Sequence, residues 1–164
     1  MITNNLPEGF AILVDGGCKK QHRPVSEREM YCSLKVYHNG KPIRHEWQQH
    51  VDVQHTMTLQ PQDGNANNQI AELLAAEVAL TYATTLRDRR ACAGKALTVI
   101  TILQDSEYGL GWGSGAYKGN SKTSEWTLNE AKQCASLLRY LKEKQVDVRF
   151  QHVGEAWVKT QLGH

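Results

Sequence analysis

Two apolar runs constrain this chain more than any other feature, because each suits a strand buried on both faces and each leads into an aspartate. Phe10-Ala11-Ile12-Leu13-Val14 stops at Asp15-Gly16-Gly17, and the β-branched stretch from Ala96 to Leu103 runs into Gln104-Asp105-Ser106. Uninterrupted runs of this kind belong inside a sheet covered on both faces, where parallel strands are common. Ligands of open α/β sheets bind beyond the strand ends. Asp15 and Asp105 are therefore expected to converge on one site.

The segments between these strands fill in a mixed sheet. Met30 to Tyr37 alternates polar and apolar residues and reads as a half-buried strand. Asn39-Gly40 suits a type I′ hairpin turn into a third extended run, Lys41 to Val53, so strands two and three are expected to be antiparallel. Leu59 to Asn67 reads as a loop. Asn68 to about Arg90 carries Ile70, Leu73, Leu74, Val78 and Leu80 near helical spacing, with Glu72 in the first turn and Gly94 closing the segment. Gly109 to Asn120 contains five glycines, which predicts a short helix and a flexible loop. Thr127 to Lys144 reads as an amphipathic helix with Leu128, Ala131, Ala135, Leu138 and Leu141 inward. Val146 to Val153 is the last strand, followed by a short segment from Gly154 to His164. The order β-β-β-α-β-α-β predicts one mixed α/β domain over residues 1–164.

Composition narrows the function classes without choosing one. The chain is 40% hydrophobic and 22% charged, ordinary for a globular domain, and no apolar run approaches the ~18 residues of a membrane span. The opening residues lack the basic and apolar regions of a secretory signal, so a cytoplasmic protein is expected. Cys18, Cys32, Cys92 and Cys134 are scattered without a Cys-x-x-Cys pair and read as reduced, small hydrophobes. A net charge of +2 neither requires nor forbids a nucleic-acid partner, since a local patch rather than the total neutralises phosphates.

Chemistry enters through the carboxylates. If the helix from Asn68 packs over the two apolar strands, Glu72 supplies a third acid to the place where Asp15 and Asp105 end. Carboxylates at short range repel, so such a cluster raises a pKa or binds a hard cation. Oxygen ligands without nearby cysteine favour Mg²⁺ or Mn²⁺. Two such ions ~3.5–4 Å apart serve phosphodiester hydrolysis. Taken singly, Asp15 also reads as a turn residue, Glu72 as a helix-dipole partner and Asp105 as a cap. Their joint order is harder to obtain by accident.

That order, Asp15-Gly16-Gly17, then Asn68-Gln69-Ile70-Ala71-Glu72-Leu73, then Asp105-Ser106-Glu107-Tyr108, resembles the type 1 ribonuclease H family over nearly the whole chain. The resemblance implies a ribonuclease-H-like α/β fold: a five-stranded mixed sheet, strands one to three antiparallel, with helices on its faces. It implies an endonuclease that hydrolyses the RNA strand of an RNA–DNA hybrid, with Asp15, Glu72 and Asp105 holding two Mg²⁺ or Mn²⁺ ions in a monomer.

On the same resemblance, backbone at Gly16 and Gly17 and the side chains of Asn68 and Gln69 approach the minor groove, where the 2′-hydroxyl marks RNA. Glu107 and Lys118 are further candidate substrate contacts. Trp112, Tyr117, Lys118, Lys122 and Trp126 mix aromatic and basic residues around the glycine-rich loop, although the two tryptophans also suit a core. The family places a fourth carboxylate after the last strand, and here no Asp or Glu follows Glu155. The expected position falls near Leu162, which makes His164 the nearest candidate ligand, with His152 or water as alternatives and a frayed end as the plain reading of His164. Two other functions remain open: a junction resolvase or transposase-like nuclease of the same superfamily, and a hybrid-binding domain with a weakened site. Asn68 and Gln69 favour the hybrid, and the three acids favour an enzyme.

Overall fold

The first apolar run forms β1, Phe10–Lys19, which sits centrally in the sheet. The computed structural model describes residues 6–43 and 54–163. β1 pairs antiparallel with β2, Glu29–His38, along its whole length. On its other side it pairs parallel with β5, Val99–Gln104, but only from Phe10↔Ile100 to Leu13↔Leu103. β6, Asp147–His152, extends the parallel half beyond β5. Two short strands, β3 (Lys41–Pro42) and β4 (Gln54–Leu59), occupy successive stretches of the free edge of β2. The result is a mixed sheet five positions wide, built from six strands among the described residues.

The expected sheet and its antiparallel half are present, with one difference in the third strand. Asn39 and Gly40 both adopt positive φ, as the hairpin requires. The extended run Lys41–Val53 is not found as one strand: β3 ends at Pro42, although the Ile43 N–H still donates to the Val36 carbonyl at 2.9 Å. Residues 44–53 lie outside the described residues, and pairing is found again in Gln54–Leu59. Leu59, assigned to a loop from sequence, closes that strand opposite Met30.

Helices cover both faces. α1, Asn68–Cys92, and α3, Glu125–Glu143, pack on the side reached by Phe10, Ile12 and Val14. Ala71, Ala75, Ala79 and Ala83, all fully buried, form an i,i+4 stripe that lets α1 lie close to the sheet. The opposite side, reached by Ala11, Leu13, Tyr37 and Leu103, is closed by Val158 and Leu162 of α4, Glu155–Leu162. The sequence shows 154–164 only as a short segment, and most of it is this helix. Here Gly163 ends α4 in the left-handed region that glycine tolerates. Because α4 covers the second face, β2 is buried on both sides rather than half-buried, with Ser33 and Tyr37 as inaccessible as Leu34 and Val36.

Two helical assignments also change in detail. In α3 the buried stripe is Thr127, Glu130, Cys134 and Leu141, while Ala135 is exposed. The inward positions are partly polar, which hides them from a hydrophobic pattern. α2, Glu107–Gly113, forms within the glycine-rich stretch because Gly109, Gly111 and Gly113 are its buried residues. A Cβ at Gly109 would press on the Gln104 side chain, so glycine there permits contact with the end of β5. No described helix is long and apolar enough to cross a membrane.

Candidate active site

The parallel register explains why the two strand-end aspartates meet. Leu13 is level with Leu103, and two residues further along each strand stand Asp15 and Asp105. Their side chains share a hydrogen bond, protonated Asp15 donating to Asp105. α1 brings the third acid. Asn67 caps its first turn, its Oδ1 accepting from the Ile70 N–H at 2.9 Å. One turn on, the helix passes so near β1 that a Cβ on Gly16 would collide with the Ala71 carbonyl. Gly16 is therefore a contact point that draws Glu72 toward Asp15.

Glu72 is held from two sides. Ser106 Oγ donates to its Oε2 at 2.7 Å, and Gln104 Nε2 donates to its backbone carbonyl at 2.8 Å. Ser106 also accepts the Gly109 N–H at 2.9 Å and so caps α2. His152, at the end of β6, places Nε2 3.0 Å from the Asp105 carbonyl, which makes it a neighbour of the cluster through backbone.

A cleft of about 310 Å³ opens over these groups, lined by Asp15, Gly16, Gly17, Tyr31, Asn68, Glu72, Asp105, Glu155 and Lys159. Its electrostatics follow from crowding. Asp15 is pushed up to about 7, first by burial and then by the charges of Asp105, Glu72 and Glu155. Burial also raises Asp105 and Glu72, opposed by the hydrogen bonds from Asp15 and Ser106 respectively.

Sequence reasoning thus placed Asp15, Glu72 and Asp105 on one cleft, together with Gly16, Gly17 and Asn68. Asn68 is fixed in place, its Oδ1 accepting the Cys18 N–H at 2.8 Å and its own N–H donating to Gln21 Oε1 at 3.2 Å. Gln69 lines a neighbouring hollow instead, with Asn65, Asn67, Tyr108, Ser124 and Trp126 among its walls. Glu107 and Lys118 are exposed and line neither hollow. Trp112 packs edge-on against Tyr117, the ring centroids 5.7 Å apart, and Trp126 Nε1 donates to Gln62 Oε1 at 3.4 Å.

Three residues of the cleft were missed: Tyr31, Glu155 and Lys159. Glu155 opens α4, which follows β6 after only Val153 and Gly154, and its charge acts on both Asp15 and Asp105. Lys159, one turn later, pairs with it at 3.5 Å. Leu162, near which a fourth ligand was sought, is 3% exposed and packed in the second core. His164 lies outside the described residues. The available signal was Glu155 itself, the last acid of the sequence and the first residue of α4.

Among the described residues, no three His, Cys, Asp or Glu side chains enclose a metal site as they stand. Asp15 is turned to Asp105 and Glu72 to Ser106, so their oxygens are engaged with neighbours. The donor set nevertheless fits a hard cation. It consists of carboxylates around an open cleft, crowded enough that Asp15 is held toward its protonated form.

No family model and no curated protein matches the chain. Solved structures do. Ribonuclease H1 from the halophilic archaeon Halobacterium salinarum aligns with a TM-score of 0.60 at 18% identity, over 93% of this chain and 92% of that one. LC11-RNase H1, isolated from compost by a metagenomic approach and solved in complex with an RNA/DNA hybrid, aligns at 0.61 and 17%, over 93% and 92%. The ribonuclease H domain of prototype foamy virus aligns at 0.55 and 18%, over 89% and 79%. The fold is that of these ribonuclease H domains.

Proposed function

We propose that this protein, sharing the ribonuclease H fold, is a divalent-cation-dependent endonuclease that hydrolyses the RNA strand of an RNA–DNA hybrid. One observation carries the reading: Asp15 of β1, Glu72 of α1, Asp105 just past β5 and Glu155 of α4 open on a single cleft. A similar fold, that of LC11-RNase H1, has been solved with such a hybrid bound. Asp15, Glu72, Asp105 and Glu155 would hold Mg²⁺ or Mn²⁺, and a bound pair of ions would activate a water and stabilise the leaving oxygen of the phosphodiester.

The remaining roles belong to the chain. Ser106 and Gln104 keep Glu72 facing the cleft. Asn68, immobilised against β1, presents its amide at the rim, where a 2′-hydroxyl can be recognised. Lys159 sets an exposed ammonium beside Glu155, suited to a phosphate of the strand being cut. Gln69 and the hollow it lines extend this polar surface along α1, and Lys118 and Glu107 lie further out, where they can meet substrate only beyond the cleft.

The test is cleavage of matched substrates by the purified protein: RNA–DNA hybrid, duplex DNA, duplex RNA and a four-way DNA junction, each with Mg²⁺, with Mn²⁺ and with chelator. The expected result is cation-dependent cutting of the hybrid's RNA strand alone. Equal cutting of duplex DNA or of the junction would replace this reading with the resolvase-like or transposase-like one. Hybrid binding without cutting in either cation would leave a binding domain.

A further inference from the structure

α4 is an eight-residue helix, too short to be stable by its own hydrogen bonds. It nevertheless carries Glu155, and it is attached to β6 through only Val153 and Gly154. What fixes its far end lies across the sheet. Tyr37 on β2 is 1% exposed and donates its hydroxyl to Gln161 Oε1 at 2.7 Å. Lys35, two residues earlier on the same face, donates to the Gln161 carbonyl at 3.2 Å. Gln54 on β4 donates to the Leu162 carbonyl at 2.7 Å. Carbonyls of a helix's last turn have no partner within the helix, and here two of them are taken by side chains of the sheet.

Only Val158 and Leu162 of α4 are fully buried. These two anchors, with Trp157 packed partly buried beside them, resist lifting of the helix better than sliding along its axis, because hydrophobic contact is non-directional. Directional hydrogen bonds supply what is missing. Gln161 stands six residues from Glu155, roughly 9 Å along the axis at 1.5 Å per residue. A shift at one end of so short a rod is passed directly to the other.

We infer that Tyr37, with Gln161 as its partner and Lys35 and Gln54 in support, is a positioning residue that sets the register of α4 and thereby keeps Glu155 at the carboxylate cluster. The inference rests on the reading of Glu155 as one of the cation-holding acids. Tyr37 does not line the cleft; it acts through the helix. Losing its hydroxyl should loosen α4 while the sheet stays intact, since phenylalanine fills the same space.

The experiment is a cycle of Tyr37→Phe, Glu155→Gln and the double variant in the full chain. Three readouts are taken: Mg²⁺ affinity by calorimetry, the Mg²⁺ concentration for half-maximal cleavage, and amide exchange of α4. Tyr37→Phe should speed α4 exchange several-fold while α1 and α3 are unchanged, and should weaken Mg²⁺ affinity about three- to tenfold with cleavage at saturating Mg²⁺ nearly preserved. Gln161→Met, which removes the acceptor from the other side, should reproduce both effects. In the Glu155→Gln background, Tyr37→Phe should add nothing to the loss of Mg²⁺ affinity. Additive losses would overturn the inference, as would unchanged Mg²⁺ affinity in Tyr37→Phe while Glu155→Gln lowers it. If Glu155→Gln itself leaves Mg²⁺ affinity unchanged, the reading of Glu155 fails, and the inference fails with it for that separate reason.

Discussion

Glu130 on α3 donates a hydrogen bond to Glu77 on α1, so two carboxyl groups meet between the helices that cover one face of the sheet. Glu130 is 8% exposed and its Oε2 has no partner. Burial, then the charge of Glu77, pushes Glu130 up to about 7. In the unfolded chain its pKa returns to about 4.5. Between these values the folded state binds more protons than the unfolded state, so stability falls as pH rises from about 4.5 to about 7 and levels off above that.

Glu130→Gln should remove this slope. Its amide can donate to Glu77 as the protonated carboxyl does, without a charge to desolvate. Denaturant melts should show the variant more stable than the parent by about 1–3 kcal/mol at pH 8 and nearly equal to it at pH 4.5. A constant difference across that range would remove the pair as the cause.

At the cleft, Asp15→Asn relieves the crowding that raises Asp15. In chelator above pH 7 the variant should melt higher than the parent, by roughly 1–2 kcal/mol of stability. Cleavage of hybrid should drop at least about a hundredfold, and added Mg²⁺, expected to raise the parent's melting temperature, should not raise that of the variant. Calorimetric scans in chelator and in Mg²⁺, beside a cleavage assay, check all three outcomes.

Glu155 and His164 are best compared side by side. Glu155→Gln should lower Mg²⁺-supported cleavage at least about tenfold, with a smaller loss in Mn²⁺, which accepts irregular coordination more readily. Removing His164 tests the ligand that the family resemblance suggested. A loss that matches Glu155→Gln, again larger in Mg²⁺, would make the imidazole a partner of the cluster, whereas rates within about twofold of the parent would leave Glu155 as the fourth group.

Gly16→Ala should be far more damaging than Gly17→Ala. The added methyl at Gly16 meets the Ala71 carbonyl and neighbouring main chain of α1, which can yield only if the helix moves. A loss of about 2–4 kcal/mol is expected, with Glu72 displaced and activity falling with it. At Gly17 the methyl meets the ring and hydroxyl of Tyr31, a side chain that can turn aside. Melting temperatures of the two variants should differ accordingly.

The parts of the site that were legible in the sequence are those tied to long regular elements. Asp15 and Asp105 follow apolar runs that could only be interior strands, and their shared register then brings them together. Glu72 was legible through the helix start at Asn68, although it stands just past the first turn to which the sequence assigned it. Glu155 was not, because α4 offers only Val158 and Leu162 as buried residues, too few to display a period. Ala135 was misplaced for a different reason: Glu130 and Thr127 hold inward positions that a hydrophobic pattern assigns to solvent. Tyr31 was read only as one side of an alternating strand, and its place in the cleft depends on the β1–β2 register, Gly17↔Tyr31.

The brevity of the β1–β5 pairing bears on how the protein comes to exist. Four level pairs, Phe10↔Ile100 to Leu13↔Leu103, hold together strands separated by β2, β4 and the whole of α1. Contacts between such distant stretches close late, since the loop entropy must be met before they are rewarded. The antiparallel hairpin and α1 can form from neighbouring sequence, and neither alone brings Asp15 to Asp105. During synthesis β1, β2 and α1 are all made before β5, so the acid cluster lacks Asp105 until β5 and the residue after it have emerged. On the proposed function, competence to cut would arise with the docking of β5 rather than growing in step with chain length.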